Sequence, residues 1–378
     1  MQPQIHETIP VEPRTVGTYP GAKIFGDARV RLMMALSVGM ISLHFLLWAG
    51  IVLTRGRSWT ELLTGWDSGW YLKIVQEGYT GQAWAFYPAW PLLLKFLNGF
   101  GLHPVIFGTF LATILYFGIL ALFAFMMRDA EAFEKQGLLP TRQIGWFLLI
   151  FSPASFAFHS NHTESLYLCL SLAAWIACVH ERWLLAAVAC GLAALTKNQG
   201  VLLAVSCALW VASMKPSLSE KVTRFLWFGL VSGSFFALFP LYQWLETGDP
   251  LRFLNVQSAW HPDISWASYF KGLVIQNPWQ ALSIGTLIHH VFFLVLLVGG
   301  GLLWRQNKFL SLYVFLFVLI EPMSGELVGT LRYGTVLVPV FFALGKLWRG
   351  PFMFPALALW LALNLAVTWN YGIGRWAY

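Results

Sequence analysis

A succession of long apolar runs limits the possible folds of this chain more than any other feature of its sequence. One run, VFFLVLLVGGGLLW at 291–304, lacks the apolar–polar alternation of a strand in a membrane barrel. A helix needs about 20 apolar residues to cross a bilayer, and the bilayer core offers no water to unpaired backbone groups. Only 11% of the residues are charged, against about 25% in soluble domains. The sequence therefore predicts an all-α polytopic membrane protein.

Eleven apolar segments predict membrane-spanning helices. They lie near 31–53, 104–127, 143–158, 164–180, 184–196, 201–213, 225–245, 286–304, 309–320, 332–347 and 352–369. Several of these segments, notably 184–196, 201–213 and 309–320, are short for a complete crossing, and such helices can be tilted, broken or extended by flanking residues. The apolar segment 86–100 holds two prolines and Lys95, and it predicts a re-entrant or interfacial helix inside a long first loop.

The distribution of lysine and arginine predicts the orientation. If the segments alternate across the membrane, one side receives Arg14, Lys23, Arg29, Arg31, Arg128, Lys135, Arg142, Lys215, Lys221, Arg224, Arg305, Lys308, Lys346 and Arg349. That side is cytoplasmic by the positive-inside rule, so the net charge of +7 reflects topology and does not indicate nucleic acid. We expect a polar cytoplasmic tail at 1–27 and one transmembrane domain at 28–378. The outer loops 54–103 and 246–285 are expected to form the site.

Polar residues of other kinds collect on the opposite, outer side. They occur in the stretches GWDSGWYLKIVQEGY, HSNHTES, TKNQG, GDPLRFLNVQSAWHP and EPMSGELVGTLRYG. Charged groups at a membrane boundary are costly unless they are paired or face a water-filled cavity. Their convergence predicts a site that faces outward near the bilayer surface.

Asp67 is the acid of the first of these stretches and lies between Trp66 and Trp70, with Tyr71 four positions on. If the stretch is a helix along the membrane surface, Asp67 and Tyr71 share one face. The carboxylate can then act as a general base that takes a proton from an attacking hydroxyl. It can equally be the N-cap of an interfacial helix, since Asp is a favoured cap.

Two cations of the outer side are candidates for binding a phosphate. Arg332 can hold a phosphate through bidentate hydrogen bonds, or it can form an ion pair with Glu321 or Glu326. Lys197 is a second candidate. Alternatively, its side chain only extends from the apolar layer to the membrane surface.

A histidine pair lies in HSNHTES. His159 and His162 are three residues apart with Glu164 nearby, a spacing that can form one side of a metal site completed by His261 or Asp263. Because this spacing is common by chance, a polar turn that contacts a sugar or phosphate is the favoured interpretation, and no metal is assigned.

The stretch 248–262 is a further candidate part of the site. Asp249 and Pro250 predict a turn before a short helix, which either lines a sugar pocket or only closes the loop.

The sequence has no Walker loop, no dinucleotide fingerprint and no GxSxG stretch, so we expect no cofactor.

Six ordered stretches together resemble the PIG-V family of GT-C membrane glycosyltransferases, whose namesake adds the second mannose during assembly of the GPI anchor. These stretches are WDSGWYLKIVQEGY, FYPAWPLL, SPASFAFHSNHTESLYL, TKNQGVLL, GDPLRFLNVQSAW and LRYGTVLVPVF. The resemblance implies a GT-C-like bundle and inverting transfer of a sugar, usually mannose. The implied donor is a polyprenyl- or dolichyl-phosphate sugar, used on the non-cytoplasmic face. It also implies that Asp67 is the catalytic base.

The resulting hypothesis gives each candidate residue a role. Arg332 and Lys197 are expected to bind the donor phosphate. The residues expected to bind substrate are Trp66, Trp70, Tyr71, His159, His162, Glu164, Asn198, Asp249, Gln257, Trp260 and His261. The acceptor is a glycan, a glycolipid or a protein.

Departures from the family pattern affect acceptor recognition more than the reaction class. His159 and His162 stand where relatives commonly have Ser and Tyr, and Lys197 replaces a common Arg. The compact length suggests a bacterial homologue in the inner membrane.

A lipid or solute transporter is the alternative function, although the sequence shows no internal repeat and its charges cluster at one face. A non-catalytic membrane partner is a second alternative.

Overall fold

The computed structural model describes residues 26–259, 265–273, 284–324, 327 and 329–375. In chain order its α-helices are α1 (Ala28–Arg55), α2 (Trp59–Leu63), α3 (Asp67–Glu77), α4 (Ala89–Asn98), α5 (Pro104–Met126), α6 (Ala130–Lys135), α7 (Ile144–Ile150), α8 (Glu164–Val179), α9 (Trp183–Thr196), α10 (Gln199–Ser213), α11 (Leu218–Thr247), α12 (Arg252–Asn255), α13 (Trp266–Leu273), α14 (Ile284–Leu303), α15 (Lys308–Ile320), α16 (Thr330–Thr335), α17 (Val338–Gly345) and α18 (Met353–Gly372). Short 3-10 helices occupy Gly81–Ala85, Met127–Asp129, Ser155–His159, Val256–Ala259 and Glu321–Ser324. These ranges contain no strand, so the all-α prediction is confirmed for them.

Several helices have the apolar composition of membrane spans. Among the residues that the structure describes, four helices are long and apolar enough to cross a membrane: Ala28–Arg55, Pro104–Lys135, Leu218–Thr247 and Met353–Gly372. The shorter apolar helices are Glu164–Val179, Trp183–Thr196, Gln199–Ser213 and Leu287–Leu303. The membrane character is therefore supported, whereas the number of eleven crossings stays a prediction.

Proline interrupts two of the predicted spans. In 143–158, α7 ends at Ile150 and a 3-10 helix begins at Ser155, with Pro153 between them. In 332–347, the chain divides into α16 and α17, and Pro339 lies in the first turn of α17. Proline has no N–H for the helix ladder and disfavours the helical conformation of the residue before it. The prediction of a continuous helix across either segment is wrong.

The segment 54–103 contains α2, α3 and α4, as expected for amphipathic helices in a long loop. Helix α4 buries Trp90 and Leu94 while Leu92 and Phe96 on its other face are exposed. This pattern confirms a helix within 86–100, and its position relative to a bilayer stays a prediction.

Small residues allow α8, α9, α10 and α11 to pack closely. A Cβ atom at Gly191 of α9 would lie 2.7 Å from Cβ of Phe235 in α11. At Gly200 it would lie 2.2 Å from the backbone nitrogen of Ala194, so the turn between α9 and α10 requires glycine. Close backbone approach through small residues is typical of helix packing in membranes. A second group, formed by α7, α14, α15 and α17, contacts the first through α10 and α15.

A buried turn connects these groups and positions the candidate site. The 3-10 helix Ser155–His159 contacts α1, α5, α8 and α16. Residues 160–163 follow it and are all buried. Helix α8 begins directly after them, so its first residue, Glu164, lies inside the protein.

Candidate functional site

Four charged side chains from distant parts of the chain meet at one place. Nη1 of Arg332 lies 2.5 Å from Oδ2 of Asp67, and Nε of Arg332 lies 3.5 Å from Oε1 of Glu164. Nζ of Lys197 lies 2.5 Å from the same Glu164 oxygen. We call Asp67, Glu164, Lys197 and Arg332 the charge tetrad. Its members lie at the start of α3, at the start of α8, between α9 and α10, and within α16.

Three members of the tetrad are withdrawn from solvent. The exposed fraction of the side chain is 0% for Glu164, 2% for Arg332 and 10% for Lys197, while that of Asp67 is 25%. Taking ions out of water is costly, so buried charges require partners of opposite sign. Two acids and two bases meet this requirement, and Asp67 is the most accessible of the four.

Tyr333 forms an aromatic wall beside both cations. Nη2 of Arg332 donates a hydrogen bond of 2.9 Å to the Tyr333 hydroxyl. Nζ of Lys197 lies 4.6 Å from the centre of the Tyr333 ring, and Cζ of Arg332 lies 4.7 Å from it. A ring face attracts cations at such distances. Sequence reasoning did not select Tyr333, although it directly follows Arg332.

Burial also sets the protonation of groups around the tetrad. It raises the pKa of Glu321 to about 8, against the opposing influence of Arg332 and Lys197. Burial, followed by the positive charge of Arg332, lowers the pKa of His162 to about 3. Burial lowers the pKa of Lys197 as well, and the Glu164 carboxylate opposes this shift. Both shifts, the raised pKa of Glu321 and the lowered pKa of His162, favour the neutral forms of these two side chains.

Asp67 is the first helical residue of α3, and Trp66 occupies the N-cap position. No side chain caps this helix, so the interpretation of Asp67 as an N-cap is wrong. Trp66 has φ 58° and ψ −128°, a conformation that residues with a side chain rarely adopt. Such a residue stores about 1–3 kcal/mol of strain. The strained link directly precedes the acid that contacts Arg332.

Asn161 joins three elements behind Asp67. Its Nδ2 donates a hydrogen bond of 2.7 Å to Oγ of Ser68, and its Oδ1 accepts one of 3.0 Å from Nε1 of Trp90. Asn161 is fully buried and packs against Gly108 of α5. It therefore fixes the start of α3 relative to α4 and α5. The sequence analysis missed Asn161, because an asparagine between two histidines gives no signal of this role.

We expect Gly108→Ala to destabilise the protein by about 1–3 kcal/mol, the usual cost of overpacking. The new Cβ atom would lie 2.2 Å from Oδ1 of Asn161 and 2.8 Å from Cδ2 of Leu94. Thermal unfolding in detergent measures the effect. Gly118→Ala on the same helix is the control, since its Cβ atom would meet nothing closer than 3.7 Å. Equal unfolding temperatures for the two variants would contradict the packing argument.

The two predicted histidines belong to different surroundings. Nε2 of His159 lies 2.7 Å from Nδ1 of His44 in α1, and Nε2 of His44 lies 2.7 Å from Oδ1 of Asn364 in α18. Nδ1 of His162 lies 2.8 Å from Oγ of Ser160. Both predicted histidines are buried. Within the described ranges, no group of three His, Cys, Asp or Glu side chains is placed to hold a metal ion.

The predicted aromatic residues of α3 pack on the segment that follows. Trp70 stacks on Phe86 with ring centres 5.6 Å apart, and Tyr71 meets Phe86 edge-on at 5.7 Å. Burial, and then the nearby Asp67 carboxylate, raise the pKa of Tyr71 well above its usual value. Tyr71 is thus a neutral, buried support for α3, while Trp66 and Trp70 are half-buried.

The remaining candidates lie outside the tetrad. The Asp249 carboxylate accepts hydrogen bonds from the backbone N–H of Leu251 at 2.9 Å and from Nδ2 of Asn255 at 2.8 Å, so it organises its own turn. Gln257 is half-buried in the 3-10 helix beyond that turn, and Asn198 is exposed. Trp260, His261 and Asp263, like Glu326, lie outside the described residues.

Comparison with known proteins does not extend this description. No protein-family model, curated protein or solved structure matches the chain. The function must therefore be inferred from the tetrad and its surroundings.

An open cavity lies beside the segment that leads into α3 and extends as far as Trp66. Its volume is about 600 Å³, and its lining consists of Arg57, Thr60, Glu61, Thr64, Gly65, Trp66 and Gly374. Nη1 of Arg57 donates a hydrogen bond of 2.9 Å to the carbonyl oxygen of Gly372, which ties this wall to the end of α18. The cavity thus reaches the residue directly before Asp67, and its size is within the range of small-molecule sites.

Proposed function

We propose that the protein is an inverting glycosyltransferase that moves a sugar, with mannose as the first choice, from a polyprenyl-phosphate donor to an acceptor hydroxyl. The observation that carries the proposal is the contact of 2.5 Å between Asp67 and Arg332. It places a carboxylate that can accept a proton beside a guanidinium that can hold a phosphate. Lys197 supplies a second cation within the same cluster.

The chemistry follows from these positions. The acceptor oxygen attacks the anomeric carbon while the bond from that carbon to the phosphate oxygen breaks, and this single displacement inverts the anomeric centre. Asp67 takes the hydroxyl proton. The bonding electron pair leaves with the lipid phosphate, where Arg332 and Lys197 stabilise the developing negative charge.

The proposal includes a GT-C-like arrangement of about eleven crossings, similar to the PIG-V family. The tetrad supports it, because all four members come from segments that the charge distribution predicts to lie on the outer side. We accordingly propose that the site faces outward from a bacterial inner membrane, with the N-terminus in the cytoplasm.

A transfer assay with purified protein tests this function. We expect protein in proteoliposomes to convert polyprenyl-phosphate [³H]mannose into free polyprenyl phosphate and a labelled product when a membrane extract supplies the acceptor. Nuclear magnetic resonance of the product should show the opposite anomeric configuration to that of the donor. An intact donor with every extract would contradict the proposal. Movement of intact donor across the bilayer would favour the transporter alternative instead.

A further inference from the structure

In this structure the proposed base, Asp67, and the proposed phosphate-binding cation, Arg332, form an ion pair with each other. The Asp67 carboxylate contacts Nη1 of Arg332, while Tyr333 accepts from Nη2 and Glu164 lies beside Nε. Each nitrogen of the guanidinium therefore already has a neighbour from the protein. A donor phosphate that binds Arg332 bidentately must replace at least one of these neighbours.

Asp67 is the neighbour that a phosphate can replace. Glu164 is fully buried, and a single one of its oxygens serves both Lys197 and Arg332. Asp67 is partly exposed, and Arg332 is the cation within ion-pair distance of it.

We infer that the phosphate of the lipid donor displaces Asp67 from Arg332, so that donor binding itself releases the catalytic carboxylate. This inference rests on the proposed function. The donor phosphate and the Asp67 carboxylate compete for one guanidinium edge, and the carboxylate becomes available for the acceptor hydroxyl only after the phosphate has arrived. An unloaded enzyme thereby keeps its base neutralised.

The exchange predicts opposite effects of one substitution on binding and on turnover. Asn at position 67 keeps the size of the side chain but removes the negative charge that competes with the phosphate. Asp67→Asn should therefore bind a lipid phosphate more tightly than the wild type, although it lacks the base. An acid that only contacts substrate would give the reverse change in affinity.

Binding of farnesyl phosphate to the full-length protein in nanodiscs tests the inference by calorimetry. We expect Asp67→Asn to lower the dissociation constant by about 5- to 150-fold, the usual range of coupling between sites. Glu77→Gln is the matched control, because Glu77 lies on the same helix in an exposed pair with Lys73. It should leave the constant unchanged, and farnesol should show no difference between variants.

Two outcomes separate this inference from the proposed function. If Arg332→Ala weakens farnesyl phosphate binding but Asp67→Asn does not tighten it, the exchange is overturned while the phosphate role stands. If Arg332→Ala binds as the wild type does, the phosphate role itself is lost. Asp67→Ser is measured in parallel, so that failure of one variant to fold leaves the comparison intact.

Discussion

Asp67→Asn should reduce sugar transfer by about 10²- to 10⁴-fold, the usual contribution of a general base. The amide cannot take the proton of the acceptor hydroxyl, and the attack then depends on water. The initial rate of label transfer from polyprenyl-phosphate mannose, at saturating donor, measures the loss. Saturation matters because the expected gain in phosphate affinity would otherwise hide part of the effect.

Two controls make the result specific to the carboxylate. Glu77→Gln removes an exposed acid from the same helix and should transfer sugar at the wild-type rate. Size-exclusion chromatography and thermal unfolding show whether the Asp67→Asn protein is folded. Full activity in folded Asp67→Asn would remove this residue as the base and leave the ion pair with Arg332 as its role.

Glu164→Ala should lower the free energy of unfolding by about 3–5 kcal/mol, the cost of removing one partner from a buried ion pair. The change leaves the buried Lys197 and Arg332 without the carboxylate that lies beside both of them. Repulsion between the two cations adds to the cost of their burial. Unfolding of the purified protein in mixed micelles measures the loss.

Further variants identify charge as the cause. Glu164→Gln keeps most of the side-chain volume and should also be destabilised. Adding Lys197→Met to it removes the cation that Glu164 neutralises, and should restore part of the stability. Glu131→Gln breaks an exposed pair with Lys135 and should have no measurable effect. A Glu164→Ala protein as stable as the wild type would contradict the electrostatic account of the tetrad.

The sequence predicted which segments contribute to the tetrad better than it predicted their pairing. Asp67, Glu164, Lys197 and Arg332 were all selected, since charged residues next to apolar runs are unusual. For Arg332 an ion pair with Glu321 or Glu326, which are near it in the chain, was the alternative to phosphate binding. In the structure Arg332 contacts Asp67 and Glu164, which are distant in the chain, and it also influences the pKa of Glu321. Sequence distance cannot reveal such partners, because the packing of separate helices decides which ends meet.

Local chemistry explains where helix predictions succeeded and failed. Hydrophobic length predicted α8, α9 and α15 to within a few residues of their observed ends. It failed around Pro153 and Pro339, where composition stays apolar although the backbone cannot remain helical. The role of Asn161 could not be predicted from the sequence either, because it depends on Gly108 allowing α5 to approach the turn that carries Asn161.

The hydrogen bonds that join His44 to His159 and Asn364 have a consequence for biosynthesis. His44 and Asn364 are separated by 320 positions in the chain, so α1 is synthesised long before α18, and this link forms only after both helices have been made. Until α18 arrives, the imidazole of His44 lacks one partner, and the turn that carries Asn161 and leads to Glu164 lacks part of its support. Because domains generally begin to fold from the N-terminus during synthesis, the hydrogen bonds made by Asn364 form late. A nascent chain truncated before α18 would therefore lack the hydrogen bonds of Asn364 to His44, Ser152 and Ser155.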